Sequence, residues 1–150
     1  MFREATTADA AALCDLERAA SQAALGHVFA PDRHPFPEDD VLTRWALVLQ
    51  EPGARVLLAD GIALVAHDLT TLRHLAVHPD HWGEGWGRRG VEVAVAALRV
   101  AGTDHPTLWC LEENSRARGL YEHLGWEPTG ATQEAAWPPY PTEMEYRLRG

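Results

Sequence analysis

A mixed α/β fold, with α-helices flanking a sheet of mixed strand direction, is what the sequence predicts. Apolar residues recur at helical spacing in several segments, short β-rich apolar runs lie between them, and glycine and proline clusters part the two kinds. Hydrophobic residues make up 46% of the 150, and a chain of this size buries about two-thirds of its unfolded surface, so one domain over residues 1–150 is expected. Residues 2–5 read as a short first strand. From Asp9, the residues Leu13, Leu16, Ala20 and Ala23 or Ala24 keep helical spacing, which predicts a helix to about Ala24 with Thr7 as its N-cap. Residues 26–37 hold three prolines, two histidines and two phenylalanines and read as a long irregular loop. Glu38-Asp39-Asp40 opens a second helix ending near Gln50, its acids placed at the positive end of the dipole.

Two apolar runs, residues 56–59 and 61–66, are parted only by Asp60-Gly61, a strong hairpin signal. A third strand covers residues 72–77 and is stopped by His78-Pro79-Asp80. After a glycine-rich stretch, Val91, Ala94, Val95 and Leu98 fall at i, i+3, i+4 and i+7, an amphipathic helix from Gly87 to Gly102. Residues 107–111 form another strand, and residues 115–124 a short helix closed by Gly125. Met144, Tyr146 and Leu148 alternate as a terminal strand.

Composition excludes several functions. All 13 basic residues are Arg, set against 22 Asp and Glu for a net charge of −9. Schiff-base or lysine catalysis is therefore excluded, and neither half of the chain is basic enough to grip nucleic acid. Cys14 and Cys110 are too few for a disulfide scaffold or a four-thiolate zinc site, and suit a reducing compartment. The first residues lack a secretory apolar run, and no uncharged stretch approaches about 18 residues. The expectation is a cytoplasmic protein with neither membrane nor nucleic-acid partner. His74, His78 and His81 raise a zinc reading, but strand geometry scatters them, so no metal is expected.

The most informative stretch is Trp82-Gly83-Glu84-Gly85-Trp86-Gly87-Arg88-Arg89-Gly90, which leaves a strand and turn and enters a helix. Glycines let successive N–H groups converge on one point, and the helix start adds unpaired N–H groups and partial positive charge. Arg88 and Arg89 in the first turn oppose that dipole unless an anion lies nearby, so a phosphate is the expected ligand. Gly85 to Gly90 also fits the dinucleotide pattern GxGxxG, with Glu112 downstream. However, seven residues part Gly85 from the preceding strand, and too few follow Glu112 to complete a doubly wound sheet. A mononucleotide P-loop fails for want of a Lys.

Two segments, residues 78–87 and Glu113-Asn114-Ser115-Arg116-Ala117-Arg118-Gly119-Leu120-Tyr121, together resemble the GCN5-related N-acetyltransferases (GNAT). The family's loop is written [RQ]xxGx[GA]; Gly85 and Gly87 match it, and Trp82 stands where Arg or Gln is usual. Asn114, Ala117 and Tyr121 match the family's Asn-x-x-Ala-x-x-x-Tyr helix, with Leu120 where Phe is common. The resemblance implies a splayed central sheet flanked by helices, with acyl-coenzyme A as co-substrate entering the splay. Leu75, Ala76 and Val77 would offer backbone groups to the acyl carbonyl and pantetheine. Trp82, Gly83, Glu84, Gly85, Trp86, Gly87 and Arg88 would hold the pyrophosphate, and Asn114 and Ala117 would border the pantetheine.

The activity so implied is transfer of an acetyl or other acyl group to a primary amine of a small molecule or peptide. Tyr121 resembles the family's proton donor to the leaving thiolate. Many relatives carry a Glu at the position of Thr71, so the base is left open among Asp68, His67, His34 and His74. Strict alternation would aim Arg73 rather than His74 into the cleft, which would suit a carboxylate-bearing acceptor. A catalytically silent acyl-coenzyme A sensor is the competing expectation, and both a monomer and a homodimer stay open.

Overall fold

The computed structural model describes all of residues 1–150. Four strands, β1 (Arg3–Glu4), β2 (Arg55–Ala59), β3 (Ala63–His67) and β4 (Leu72–Val77), pair antiparallel in chain order. The β2–β3 hairpin turns at Asp60-Gly61 with Gly61 at φ +72°, a backbone conformation that glycine adopts freely. Three more strands, β5 (Thr107–Leu111), β6 (Trp126–Glu134) and β7 (Thr142–Leu148), form a second antiparallel sheet in the order β5-β7-β6.

The two sheets meet only at their seam. Thr71 and Thr107 make one parallel bridge, with the Thr107 N–H donating to the Thr70 carbonyl at 3.3 Å. Beyond it β4 and β5 diverge, so the sheet splays as expected.

Helices cover both faces. On one side α1 (Ala10–Leu25) and α2 (Glu38–Val48) bury Leu13, Leu16, Val41 and Trp45 against Val56, Leu58, Leu64 and Ala66. On the other side α3 (Trp86–Val100) and α4 (Ser115–His123) bury Val91, Ala94 and Tyr121 with Val65, Leu108, Trp126 and Tyr146. Cys14 and Cys110 are both buried thiols in these two cores. No helix is long and apolar enough to cross a membrane.

Three expectations are corrected. Helix α1 is preceded by a 3-10 turn over Thr7–Asp9, so Asp9, not Thr7, stands at its N-cap, while Thr6 caps the turn; the Asp9 carboxylate accepts from the Thr6 N–H at 2.8 Å. Strand β6 has no counterpart in the sequence reading. It is exposed along nearly its whole length and carries Pro128 and Gly130, so it shows no alternation; main-chain pairing to β7 holds it as an edge. Finally, β4 carries a bulge opposite Ala66 and His67, where His67 pairs with Leu72 and Ala66 with His74, leaving Arg73 as the extra residue. Strict alternation therefore fails at Arg73.

Close packing sets the pitch of α3 over β4. A Cβ at Gly90 would lie 2.9 Å from Leu75 Cδ1, with Phe2 and Val65 at 3.5 and 3.6 Å. Gly90→Val should cost about 1–3 kcal/mol of stability by forcing α3 outward. Urea unfolding checks it, and an unchanged midpoint would contradict this packing.

Candidate active site

The splay between β4 and β5 opens a cleft of about 540 Å³. Its walls are β4, the loop from β4 to α3, the first turns of α4 and the inner face of α1. Of the residues singled out in the sequence, Leu75, Ala76, Val77, Trp82, Gly83, Gly85, Trp86, Gly87, Arg88, Asn114 and Ala117 all line it. Two do not. The Glu84 side chain is paired with the His81 ring at 3.0 Å and accepts from Trp86 Nε1 at 3.2 Å. Tyr121 lies one helical turn beyond Ala117 and behind the lining, its ring packed at 6.0 Å from Trp126 and 6.3 Å from Tyr146.

The glycine loop has the backbone its composition demands. Gly83 and Gly85 sit at φ +82° and +85°, where residues with a Cβ are strained, and Gly85 is the N-cap of α3. Gly87 serves closeness instead: a Cβ there would be 3.1 Å from Leu120 Cδ2, so only glycine lets α3 approach α4 this tightly at the cleft floor. Arg89 braces the loop from outside. Its guanidinium lies 4.0 Å over the Trp86 ring and donates to the Glu84 and Gly85 carbonyls at 2.8 and 3.3 Å. Arg88 remains at the mouth with Glu92 as its ion-pair partner at 2.7 Å.

Trp82 ties three parts together. Its indole N–H donates to the Val77 carbonyl at 2.9 Å, and the Arg116 guanidinium of α4 stacks on its face at 3.9 Å. His78 donates its N–H to Ile62 on the β3 side at 2.7 Å, so by alternation the main-chain groups of Leu75 and Val77 face the gap and those of Ala76 face β3. Asn114 caps α4, its Oδ1 accepting from the Ala117 N–H at 3.2 Å, which leaves its amide N–H groups free toward the cleft.

The structure places Arg73 and the four candidate bases in different surroundings. The bulge turns Arg73 away from the cleft, to Asp68 Oδ2 at 2.8 Å and Glu51 at 2.6 Å. His74 lines the cleft instead, its ring 5.1 Å from Trp45. Asp68 is occupied with the turn: its carboxylate accepts from the Thr70 and Thr71 N–H groups and from Arg73, which together outweigh burial and hold it below the usual carboxylate range. His67 is buried against its own turn, and His34 lies on a smaller cavity that adjoins the cleft. His74, His78 and His81 do not gather: His78 caps the 3-10 turn at Pro79–His81 and His81 ends it, while the His74 ring packs on Trp45.

One cleft-lining carboxylate lies outside the candidates read from the sequence. Glu17 of α1 lines the cleft; its Oε1 accepts from Trp45 Nε1 at 2.9 Å and from Arg44, and Oε2 has no partner within the chain. The signal was available, because Glu17 sits at i+4 from Leu13 and i−3 from Ala20, a carboxylate inside the apolar stripe of α1.

With the geometry in place, the comparisons agree on one family. The family described as "Acetyltransferase (GNAT) family" matches residues 11–126, and the chain belongs to it. Over 54 residues the chain is 44% identical to the mycothiol acetyltransferase of Beutenbergia cavernae. That stretch is 36% of this chain and 18% of the relative, so the chain spans less than a fifth of that protein's length. The crystal structure named "GCN5-Related N-acetyltransferase: Aminotransferase, Class-II" from Rhodopseudomonas palustris superposes with a TM-score of 0.84 at 14% identity, covering 100% of this chain and 95% of that one. The yncA protein of Salmonella typhimurium, solved with its cofactor acetyl-CoA, gives 0.70 at 19% identity over 99% and 92%. At these identities the two structures attest the shared fold.

Burial first, then the charges of Arg44 and Arg73, push the His74 imidazole down to about 3. Free histidine titrates near 6.5, so between these values the unfolded chain takes the proton that the folded chain refuses. Stability from this group is full above about pH 6.5 and is lost as pH falls toward 3. Urea midpoints should therefore drop from pH 7 to pH 4, and His74→Phe should flatten that drop; parallel curves for the two proteins would contradict the assignment.

Proposed function

We propose that this chain transfers an acyl group, acetyl in the simplest case, from an acyl-coenzyme A thioester to a primary amine. The observation that carries the reading is the splay itself. It exposes the main-chain groups of Leu75 and the N–H of Val77 beside a loop whose glycines present N–H groups at the start of α3. The residues fit the co-substrate. A diphosphate suits the amides of residues 82–88 with Arg88 at the mouth, and an amide-bearing arm suits the strand edge of β4 opposite Asn114. Family membership and a fold neighbour solved with acetyl-CoA support the same reading.

The chemistry asks three things of the chain. An alkylammonium has a pKa near 10 and must lose one proton before its nitrogen attacks. Forming the C–N bond and breaking the C–S bond releases a second proton from nitrogen, and the sulfur takes one up. Negative charge that builds on the acyl oxygen is met by a main-chain N–H of β4, Leu75 or Val77. Tyr121 is the proton donor to sulfur in this reading. Burial behind the cleft wall, and then Cys110, raise its phenol above the ordinary value, which makes it a weaker acid, so its donation depends on direct contact with the sulfur rather than on acidity.

Two variants test the reading. Gly85→Val keeps the space, since the nearest side-chain atom to its Cβ is 3.8 Å away, but not the conformation at φ +85°. Calorimetry should show acetyl-coenzyme A affinity falling more than about tenfold; unaltered affinity counts against the loop. Tyr121→Phe should lower kcat by about 10²–10⁴ with co-substrate affinity and Tm unchanged. An unchanged kcat would make Tyr121 a core residue only.

A further inference from the structure

A second, smaller cavity of about 60 Å³ adjoins the cleft, and Glu17 and Ser21 line both. It lies between α1, the loop of residues 26–37 and Trp137 from the β6–β7 connection. Phe29, Phe36, Pro37, Val41 and Trp137 give it an apolar wall, and His34 is the one basic side chain on it. We infer that this cavity and Glu17 form the acceptor site, and that the acceptor is a compact aliphatic amine bearing no carboxylate. The inference rests on the transferase reading above and deepens it by naming the substrate class.

Three observations carry it. The junction of the two cavities is where an acceptor must reach the acyl end of the cleft, and Glu17 stands there with Oε2 unpartnered and not sealed from solvent. That oxygen can accept from an ammonium, while Oε1 stays anchored by Arg44 and Trp45. Size comes next. A volume of about 60 Å³ exceeds what one water needs, about 10–15 Å³, and falls well short of the ~150 Å³ that holds a benzene, so it suits a small alkyl group better than a ring. Charge decides the rest. The arginines of α1, α2 and β4 are all ion-paired within the chain: Arg18 to Asp15 and Glu38, Arg44 to Glu17, and Arg73 to Asp68 and Glu51. A substrate carboxylate would be desolvated beside Glu17, and no arginine lines the smaller cavity to receive it. The bulge that removes Arg73 from the cleft thus also removes the group that a carboxylate-bearing acceptor would have used.

The test compares isobutylamine, valine and phenethylamine as acceptors with acetyl-coenzyme A, following thiol release. Valine carries the same branched tail as isobutylamine plus a carboxylate, and phenethylamine carries a ring too large for the cavity. Isobutylamine should exceed both in kcat/KM by at least about tenfold. Trp137→Ala should raise KM for isobutylamine about tenfold and leave KM for acetyl-coenzyme A in place, with Trp137→Phe restoring most of the loss. Glu17→Gln should raise the amine KM likewise. If Trp137→Ala melts early, Phe29→Ala carries the same comparison. Valine or phenethylamine matching isobutylamine, or an amine KM indifferent to both cavity variants, would overturn the acceptor class while leaving transfer standing. Failure to bind acetyl-coenzyme A would overturn both.

Discussion

The hydrogen-bond ladder that β4 and β5 do not make is the constraint on which the rest depends. One bridge at Thr71 and Thr107 joins the two sheets, and past it each strand goes its own way, β5 to β7 and β4 to β3. Main-chain groups left along the gap would each cost about 1–3 kcal/mol if sealed without a partner. The chain satisfies one of them itself, by sending the Trp82 indole to the Val77 carbonyl. The others face a cleft that remains open because α3 and α4 fill the space behind it, α3 seated close on β4 at Gly90 and close to α4 at Gly87.

Arginine and tryptophan together build the mouth of that cleft. A guanidinium keeps its charge at every accessible pH and can stack on an aromatic face while its N–H groups donate sideways. Arg89 does both, lying on Trp86 and holding two loop carbonyls, and Arg116 lies on Trp82 from across the gap. A chain whose every basic residue is Arg has this mode available wherever an indole is exposed. At the other end of the cleft the same residue type is neutralised by pairing, and a carboxylate with one free oxygen is left facing the space.

Much of the fold was legible because its signals are local. Asp60-Gly61 between two apolar runs fixed the hairpin, the stripe through Val91 and Leu98 fixed α3, and His78-Pro79 ended β4 where the structure ends it. The glycine loop was legible for the same reason, since positive φ leaves a mark in composition. What escaped depends on partners distant in sequence. Polar β6 is a strand only because β7 lies beside it, and the bulge at Arg73 comes from the register with β3, so no periodicity in β4 could announce that His74, not Arg73, meets the cleft. Glu17 was visible as an oddity in an apolar stripe, but its meaning comes from Trp45 and Arg44 in the next helix. Tyr121 was found by motif, and the fold adds that its ring is held by Trp126 and Tyr146 behind the cleft wall.

The central claim is that the splay is a receptor for a thioester whose diphosphate rests on the amides of the Trp82–Arg88 loop. A crystal structure of the protein with acetyl-coenzyme A tests it most directly. The account predicts the diphosphate within hydrogen-bond distance of the N–H groups of this loop, the pantetheine arm running along β4 opposite Asn114, and the sulfur between β4 and β5 near the Tyr121 phenol. A nucleotide bound elsewhere on the surface, with β4 and β5 unoccupied between them, would contradict it.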